Sequence, residues 1–204
     1  MFKFIWAVIL LISSSTLLAN TIVVLGDSLS ASHGIEVQQG WVSLLQKKLN
    51  TTEKKYQIIN ESVSGETSAG GLARIDKILN DYKPSVLILE LGANDGLRGL
   101  SPKIMKKNLA EIIHRSQKHD VNVLLLSMRI PPNYGKRYTD LFYKVYPQLK
   151  NDLKVTLVPF ILNDVALMKG LMQKDGLHPN AKAQPLIMDK IWPYLKKLLV
   201  NKDK

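Results

Sequence analysis

The chain has 204 residues and carries 28 Lys and Arg against 17 Asp and Glu, a net charge of +11. It contains no cysteine, which excludes disulfides, a thiolate site and lipid attachment through an N-terminal cysteine. The lysines are scattered, in short pairs such as Lys106-Lys107 and Lys196-Lys197 without interleaved aromatics, so the excess reads as a solvated basic surface. No nucleic-acid partner is expected, and at most peripheral contact with a membrane.

Residues 1–19 read as an export signal rather than as fold. Lys3 supplies the positive start, Phe4 to Ile12 is an unbroken apolar run, and Ser13 to Ala19 is a small-residue approach to cleavage after Ala19. The apolar run falls short of the roughly 20 residues a spanning helix needs. The expectation is a periplasmic protein whose residues 20–204 form one domain, working as a monomer.

That domain opens on Ile22-Val23-Val24-Leu25, a buried-strand run that breaks into Gly26-Asp27-Ser28-Leu29-Ser30. Ser28 therefore falls at a strand's C-terminal end, where open parallel sheets carry their binding crevice. Trp41 to Leu49 follows as an amphipathic helix, with Trp41, Leu44, Leu45 and Lys48 spaced along one face. Tyr56 to Asn60 is a second strand, and Glu61 to Thr67 a polar loop in which Gly65 can bring its N–H close to a neighbour. Ser68 to Leu79 is a helix burying Leu72, Ile75, Ile78 and Leu79.

Val86 to Leu91 has the apolar character of a central strand and breaks into the turn Gly92-Ala93-Asn94-Asp95-Gly96. Ser101 and Pro102 mark the start of another helix, continued by Ile104, Leu109, Ile112 and Ile113. Val121 to Met128 is the fourth strand. The loop Pro131 to Gly135, a helix over Tyr138 to Leu149, a fifth strand at Val155 to Val158 and a less regular stretch to Gly176 come next. A helix over Asn180 to Leu199, irregular around Pro185 and Pro193, closes the chain. Strands alternating with helices predict an α/β fold of three layers, α/β/α, around a five-stranded parallel sheet in the flavodoxin-like order 2-1-3-4-5.

Asp175-Gly176-Leu177-His178 sets a carboxylate three residues before an imidazole. In a tight turn Asp175 accepts a hydrogen bond from one ring nitrogen and leaves the other aimed at Ser28, making His178 a general base. Ser28 N–H, Gly65 N–H and the Asn94 amide can together receive an oxyanion. Taken singly, each piece also reads as ordinary loop chemistry: a Gly-Asp-Ser turn, a turn glycine, an Asn holding its own turn, a surface Asp–His contact. Their joint placement in one crevice favours acyl transfer. A G-x-S-x-G elbow, an H-E-x-x-H helix and a G-x-G-x-x-G loop are all absent from the sequence, and His33, His114, His119 and His178 lack metal-ligand spacing. No metal or cofactor is expected.

The four blocks Gly26 to Ser30, Gly65, Gly92 to Asp95 and Asp175 to His178 resemble the SGNH or GDSL hydrolases, named for their Ser, Gly, Asn and His. The likeness extends over essentially the whole exported chain. Through Leu91 to Leu100, Arg129 to Tyr138 and Asp175 to Pro179, it is to the family's bacterial periplasmic esterases that also act on thioesters and lysophospholipids. Ala93 stands where that branch commonly has glycine. The resemblance implies Ser28 as nucleophile, Asp175 and His178 as its triad partners, and an oxyanion hole at Ser28, Gly65 and Asn94. It also implies a loop, Asp95 to Leu100, that closes over an acyl chain, with Gly96 and Gly99 as hinges, Leu97 and Leu100 as apolar surface, and Pro131 to Tyr134 as another wall. Expected substrates are small acyl esters, thioesters and lysophospholipids, with an ester such as lysophospholipid as the working substrate outside the cytoplasm. The competing readings are a carbohydrate acetylesterase of the same fold, which calls for a shallow polar cleft, and a non-catalytic acyl- or glycan-binding protein.

Overall fold

The structure, a computed structural model, describes residues 20–52 and 56–201; the leader expected over residues 1–19 lies outside them. Five strands, β1 (Asn20–Gly26), β2 (Tyr56–Asn60), β3 (Val86–Glu90), β4 (Asn122–Leu126) and β5 (Thr156–Val158), form one sheet in the order β2-β1-β3-β4-β5. Every pairing is parallel, as the alternation of strands and helices predicts. The apolar residues Ile22 to Leu25 and Val86 to Leu89 are fully buried in the two inner strands. In the register Gly26 stands opposite Glu90, which brings the first strand's end and the third strand's end together at one edge of the core.

Among the described residues six α-helices cover the sheet: α1 (Trp41–Leu49), α2 (Ser68–Tyr82), α3 (Ala93–Leu97), α4 (Pro102–Lys118), α5 (Lys136–Leu153) and α6 (Gln184–Asn201). Helix α1 packs on α6, while α2 packs on α4 and α4 on α5. Right-handed crossovers in this strand order produce that division into two layers. Trp41, Leu45 and Leu49 bury the inner face of α1. Lys48, whose spacing places it on that face, is exposed instead, with its ammonium 6.0 Å from the Trp192 ring. The long lysine stem lets the charge stay in water beside an apolar neighbour.

Two further readings are corrected. The segment Gly92 to Gly96 is a short helix, α3, rather than a turn, entered through Gly92 at φ 117°. A Cβ on Gly96 would stand 2.5 Å from Ile130 and 2.7 Å from Phe142, so α3 packs tightly only because this position has no side chain. Ser101 precedes α4 as expected, but its side chain makes no capping bond, and Ile104 is exposed. Pro102 alone marks that helix start.

Candidate active site

Ser28 follows the end of β1 in a turn closed by Ala31 N–H on Asp27 O (2.9 Å) and His33 N–H on Ser28 O (3.1 Å). The turn is compact because Gly26 carries no side chain: a Cβ there would meet Ser30 Oγ at 2.7 Å and Glu90 Oε2 at 2.8 Å. The Ser28 hydroxyl is 2.9 Å from His178 Nε2, and His178 Nδ1 is 2.7 Å from Asp175 Oδ2. Asp175 Oδ1 accepts the backbone N–H groups of Leu177 (2.9 Å) and His178 (3.0 Å). The His178 backbone N–H, then its ring, then the Leu177 N–H hold the Asp175 carboxyl well below the usual carboxylate range. An ionised Asp175 accepts a hydrogen bond from Nδ1–H and so fixes that tautomer, which leaves Nε2 as the acceptor for the serine O–H.

The segment carrying Asp175 and His178 is fastened at its base. Gln173 N–H donates to His178 O (2.7 Å), Met172 bridges Pro179, and Asn180 N–H donates to Leu171 O (2.8 Å). Gln173 Nε2 donates to His33 O at 2.8 Å and so ties this loop to the Ser28 turn. The His33 ring lies 4.5 Å from the His178 ring, tilted by 41°.

The loop after β2 runs beside the end of β1, with Glu61 N–H on Val24 O and Val63 N–H on Gly26 O. Gly65 sits in it at φ 81°, and its carbonyl accepts Arg98 Nη2 at 2.8 Å. Neither the Ser28 nor the Gly65 N–H has a hydrogen-bond partner among the described residues. Asn94, in the first turn of α3, gives one Nδ2 hydrogen to Asp27 Oδ2 (3.1 Å) and the other to Glu66 O (3.0 Å). The five predicted chemical residues thus converge from four separate segments.

The six residues predicted to contact substrate divide. Pro131 lines a cavity of about 540 Å³ together with Ile130, Phe160, Leu162, Ala166 and Leu177. Asp95, Gly96, Leu97, Leu100 and Tyr134 are not among its lining residues. Asp95 is buried, and its carboxylate accepts both Ser68 N–H (2.8 Å) and Ser68 Oγ (2.5 Å), which anchors α2 to α3. The Tyr134 hydroxyl donates to Leu97 O, and the Tyr138 hydroxyl to Leu100 O, so the segment after Gly96 is held by α5 and the turn before it. Gly99 keeps a positive φ of 68° with open space around it.

Sequence reasoning missed the residues behind the nucleophile. Asp27 and Glu90 are almost completely buried, and both carboxyls are raised in pKa, first of all by that burial. Glu90 Oε2 accepts Asp27 N–H (3.2 Å) and the Ser30 hydroxyl (2.8 Å). The available signal was a glutamate set inside the apolar run Val86 to Leu91. Among the described residues no group of His, Asp or Glu is arranged to hold a metal ion.

Residues 24–185 match the GDSL-like lipase/acylhydrolase family. The chain is 46% identical to the esterase TesA of Pseudomonas aeruginosa over 181 residues, covering 89% of this chain and 90% of that one. It is 40% identical over 185 residues to an Escherichia coli protein named as a thioesterase, protease and lysophospholipase, covering 91% and 87% of the two chains. Among solved structures, the psychrotrophic esterase EstA from a Pseudoalteromonas species, inhibited by monoethylphosphonate, superposes with a TM-score of 0.84 at 46% identity, covering 88% of this chain and 98% of that one.

Proposed function

The chain belongs to the GDSL-like lipase/acylhydrolase family and is an ester hydrolase, and from that premise we propose that it works through an acyl-enzyme on Ser28. The observation that carries this reading is the unbroken line from Ser28 Oγ to His178 Nε2 (2.9 Å) and from Nδ1 to Asp175 (2.7 Å). As Ser28 Oγ attacks the ester carbonyl carbon, its proton passes to Nε2, and the charge gathering on the carbonyl oxygen falls to Ser28 N–H, Gly65 N–H and Asn94 Nδ2. The imidazolium then hands its proton to the departing alkoxide or thiolate. In the second half His178 takes a proton from water, whose oxygen attacks the acyl carbon, and the imidazolium then returns that proton to Ser28 Oγ as the acid leaves.

The acyl group occupies the cavity beside Leu177. Its walls of Ile130, Pro131, Phe160 and Leu162 suit an aliphatic chain better than an acetylated sugar, which calls for a shallow polar cleft. The names of the relatives support acyl esters, thioesters and lysophospholipids as the substrate class. Export to the periplasm is part of the same reading, on the pattern of residues 1–19. Amino-terminal sequencing of secreted material tests it, and a start other than Asn20 moves the cleavage point.

The direct test is stoichiometric labelling by an alkyl phosphonate, with p-nitrophenyl esters from acetyl to palmitoyl and a lysophospholipid assayed alongside. The expected results are one label on Ser28 and turnover that rises beyond acetyl. Labelling elsewhere, or none with a binding-competent protein, overturns the acyl-enzyme and returns the chain to a binding role.

A further inference from the structure

Glu90 ends the central strand β3 with no exposure, and its two oxygens are treated differently by the fold. Oε2 accepts two hydrogen bonds, from Asp27 N–H and the Ser30 hydroxyl, while Oε1 has no partner. An ionised glutamate would leave that oxygen charged and unsolvated, an arrangement that proteins avoid. Asp27 is the opposite case. Its Oδ1 accepts Leu29 N–H at 3.0 Å and its Oδ2 accepts Asn94 Nδ2 at 3.1 Å, so both oxygens meet donors suited to an anion.

The other ionisable groups around the pair are His178 from the loop before α6, Tyr146 from α5 and Asp95 from α3. Tyr146 spends its proton on Leu91 O, at 3.0 Å, and Asp95 spends its carboxylate on Ser68. No lysine or arginine forms an ion pair with either carboxyl among the described residues. Two adjacent buried carboxyls without a cation cannot both stay ionised.

We propose that Asp27 and Glu90 carry one proton between them, Glu90 standing as the neutral acid and Asp27 as the anion, and that Asp27 acts as the positioning residue for the Asn94 amide. The assignment rests on Asn94 being an oxyanion donor, as proposed above. Asp27 is joined to the nucleophile by one peptide bond and to the amide by one hydrogen bond. A single buried charge therefore sets where both the attacking oxygen and the side-chain donor stand. In Asp27→Asn one of the two oxygens becomes an NH2 group, which meets either the Leu29 N–H or the Asn94 Nδ2–H, donor against donor.

The test is a double-mutant cycle in the whole protein on a soluble p-nitrophenyl ester, with kcat and KM followed across pH. Asp27→Asn is expected to lower kcat about 10- to 100-fold while KM moves less than about twofold, because a mis-set donor acts in the transition state. Adding Asp27→Asn to Asn94→Ala is expected to cost little beyond Asn94→Ala alone. Glu90→Gln, the neutral isostere, is expected to outperform Glu90→Ala and to hold its kcat at alkaline pH where the wild type declines. Additive losses in the cycle overturn the proposal, as does a Glu90→Gln profile that coincides with the wild type on the alkaline side. If Asn94→Ala itself turns over normally, the oxyanion assignment falls and takes this inference with it. If Asn94→Ala is impaired but the losses add, the inference alone fails. Should Glu90→Ala not fold, the cycle and the Glu90→Gln profile decide by themselves.

Discussion

His178 gives Asp175 two hydrogen bonds, one from its backbone N–H to Oδ1 at 3.0 Å and one from its ring to Oδ2 at 2.7 Å. The carboxylate thus shapes the turn that presents the ring and also sets which ring nitrogen carries the proton. Asp175→Asn keeps an acceptor for the backbone but offers an NH2 group or a neutral oxygen to the ring. Its kcat is expected to fall on the order of 10⁴-fold with the fold intact, the size seen when a triad tautomer is lost. Circular dichroism establishes the fold and steady-state kinetics the loss; near-normal turnover would remove Asp175 from the triad.

Asn94→Ala deletes a donor while leaving Ser28, His178 and Asp175 in the chain, and its kcat is expected to drop about 10²- to 10³-fold. KM should move far less, since the bond from Asn94 to Glu66 O is exchanged for the oxyanion only as charge develops. A variant that raises KM at constant kcat would show Asn94 binding ground-state substrate instead.

Gly65→Ala separates backbone conformation from crowding. A Cβ at this position meets nothing closer than Arg98 Nη2 at 3.6 Å, so the penalty is that of a left-handed alanine, roughly 1–2 kcal/mol. Thermal melting is expected to register that loss, and kcat to fall with it as the peptide N–H turns away. Wild-type melting and turnover together would show that the Gly65 peptide needs no special geometry.

Ala166→Trp fills the cavity beside Leu162. Excluding two methylenes from apolar surroundings, at ~0.8 kcal/mol each, costs roughly tenfold in kcat/KM. That loss is expected for long-chain p-nitrophenyl esters and not for acetyl. An equal effect across the series would place the acyl chain elsewhere.

The sign of the pH dependence of stability follows from Glu90. Burial and the neighbouring Asp27 charge hold its carboxyl well above the ordinary range, so the native state keeps a proton that the unfolded chain releases. Stability is therefore lost as pH rises towards the native value. Glu90→Gln has no such proton to lose, and its melting temperature relative to wild type is expected to increase as pH rises above the ordinary carboxylate range. A constant difference in scanning calorimetry would mean that Glu90 is not protonated in the native protein.

The central strands β1 and β3 are readable because they are apolar runs with glycine or proline near their ends, a pattern that burial on both faces imposes. Ser28, Gly65, Asn94, Asp175 and His178 were readable because each belongs to a short block just past a strand or before the last helix. Helix α3 was hidden by Gly92 and Gly96, poor helix formers that are required there by close packing against Ile130, Phe142 and Tyr146. The family resemblance implies Asp95 as part of a loop over the acyl chain, whereas its partner Ser68 is distant in sequence and becomes visible only once α2 and α3 meet. Glu90 is hidden within the apolar run Val86 to Leu91. Its significance depends on lying opposite Gly26, a matter of register that no local pattern encodes.

Parallel strands give the domain two unlike ends. The line of Ser28, His178 and Asp175 stands where β1 finishes, while Asn20 begins that strand six residues earlier, about 20 Å away at the far side. A bead, carrier protein or electrode coupled ahead of Asn20 would therefore leave the mouth of the enzyme facing open solution. The same coupling made through the loop between β5 and α6 would block it.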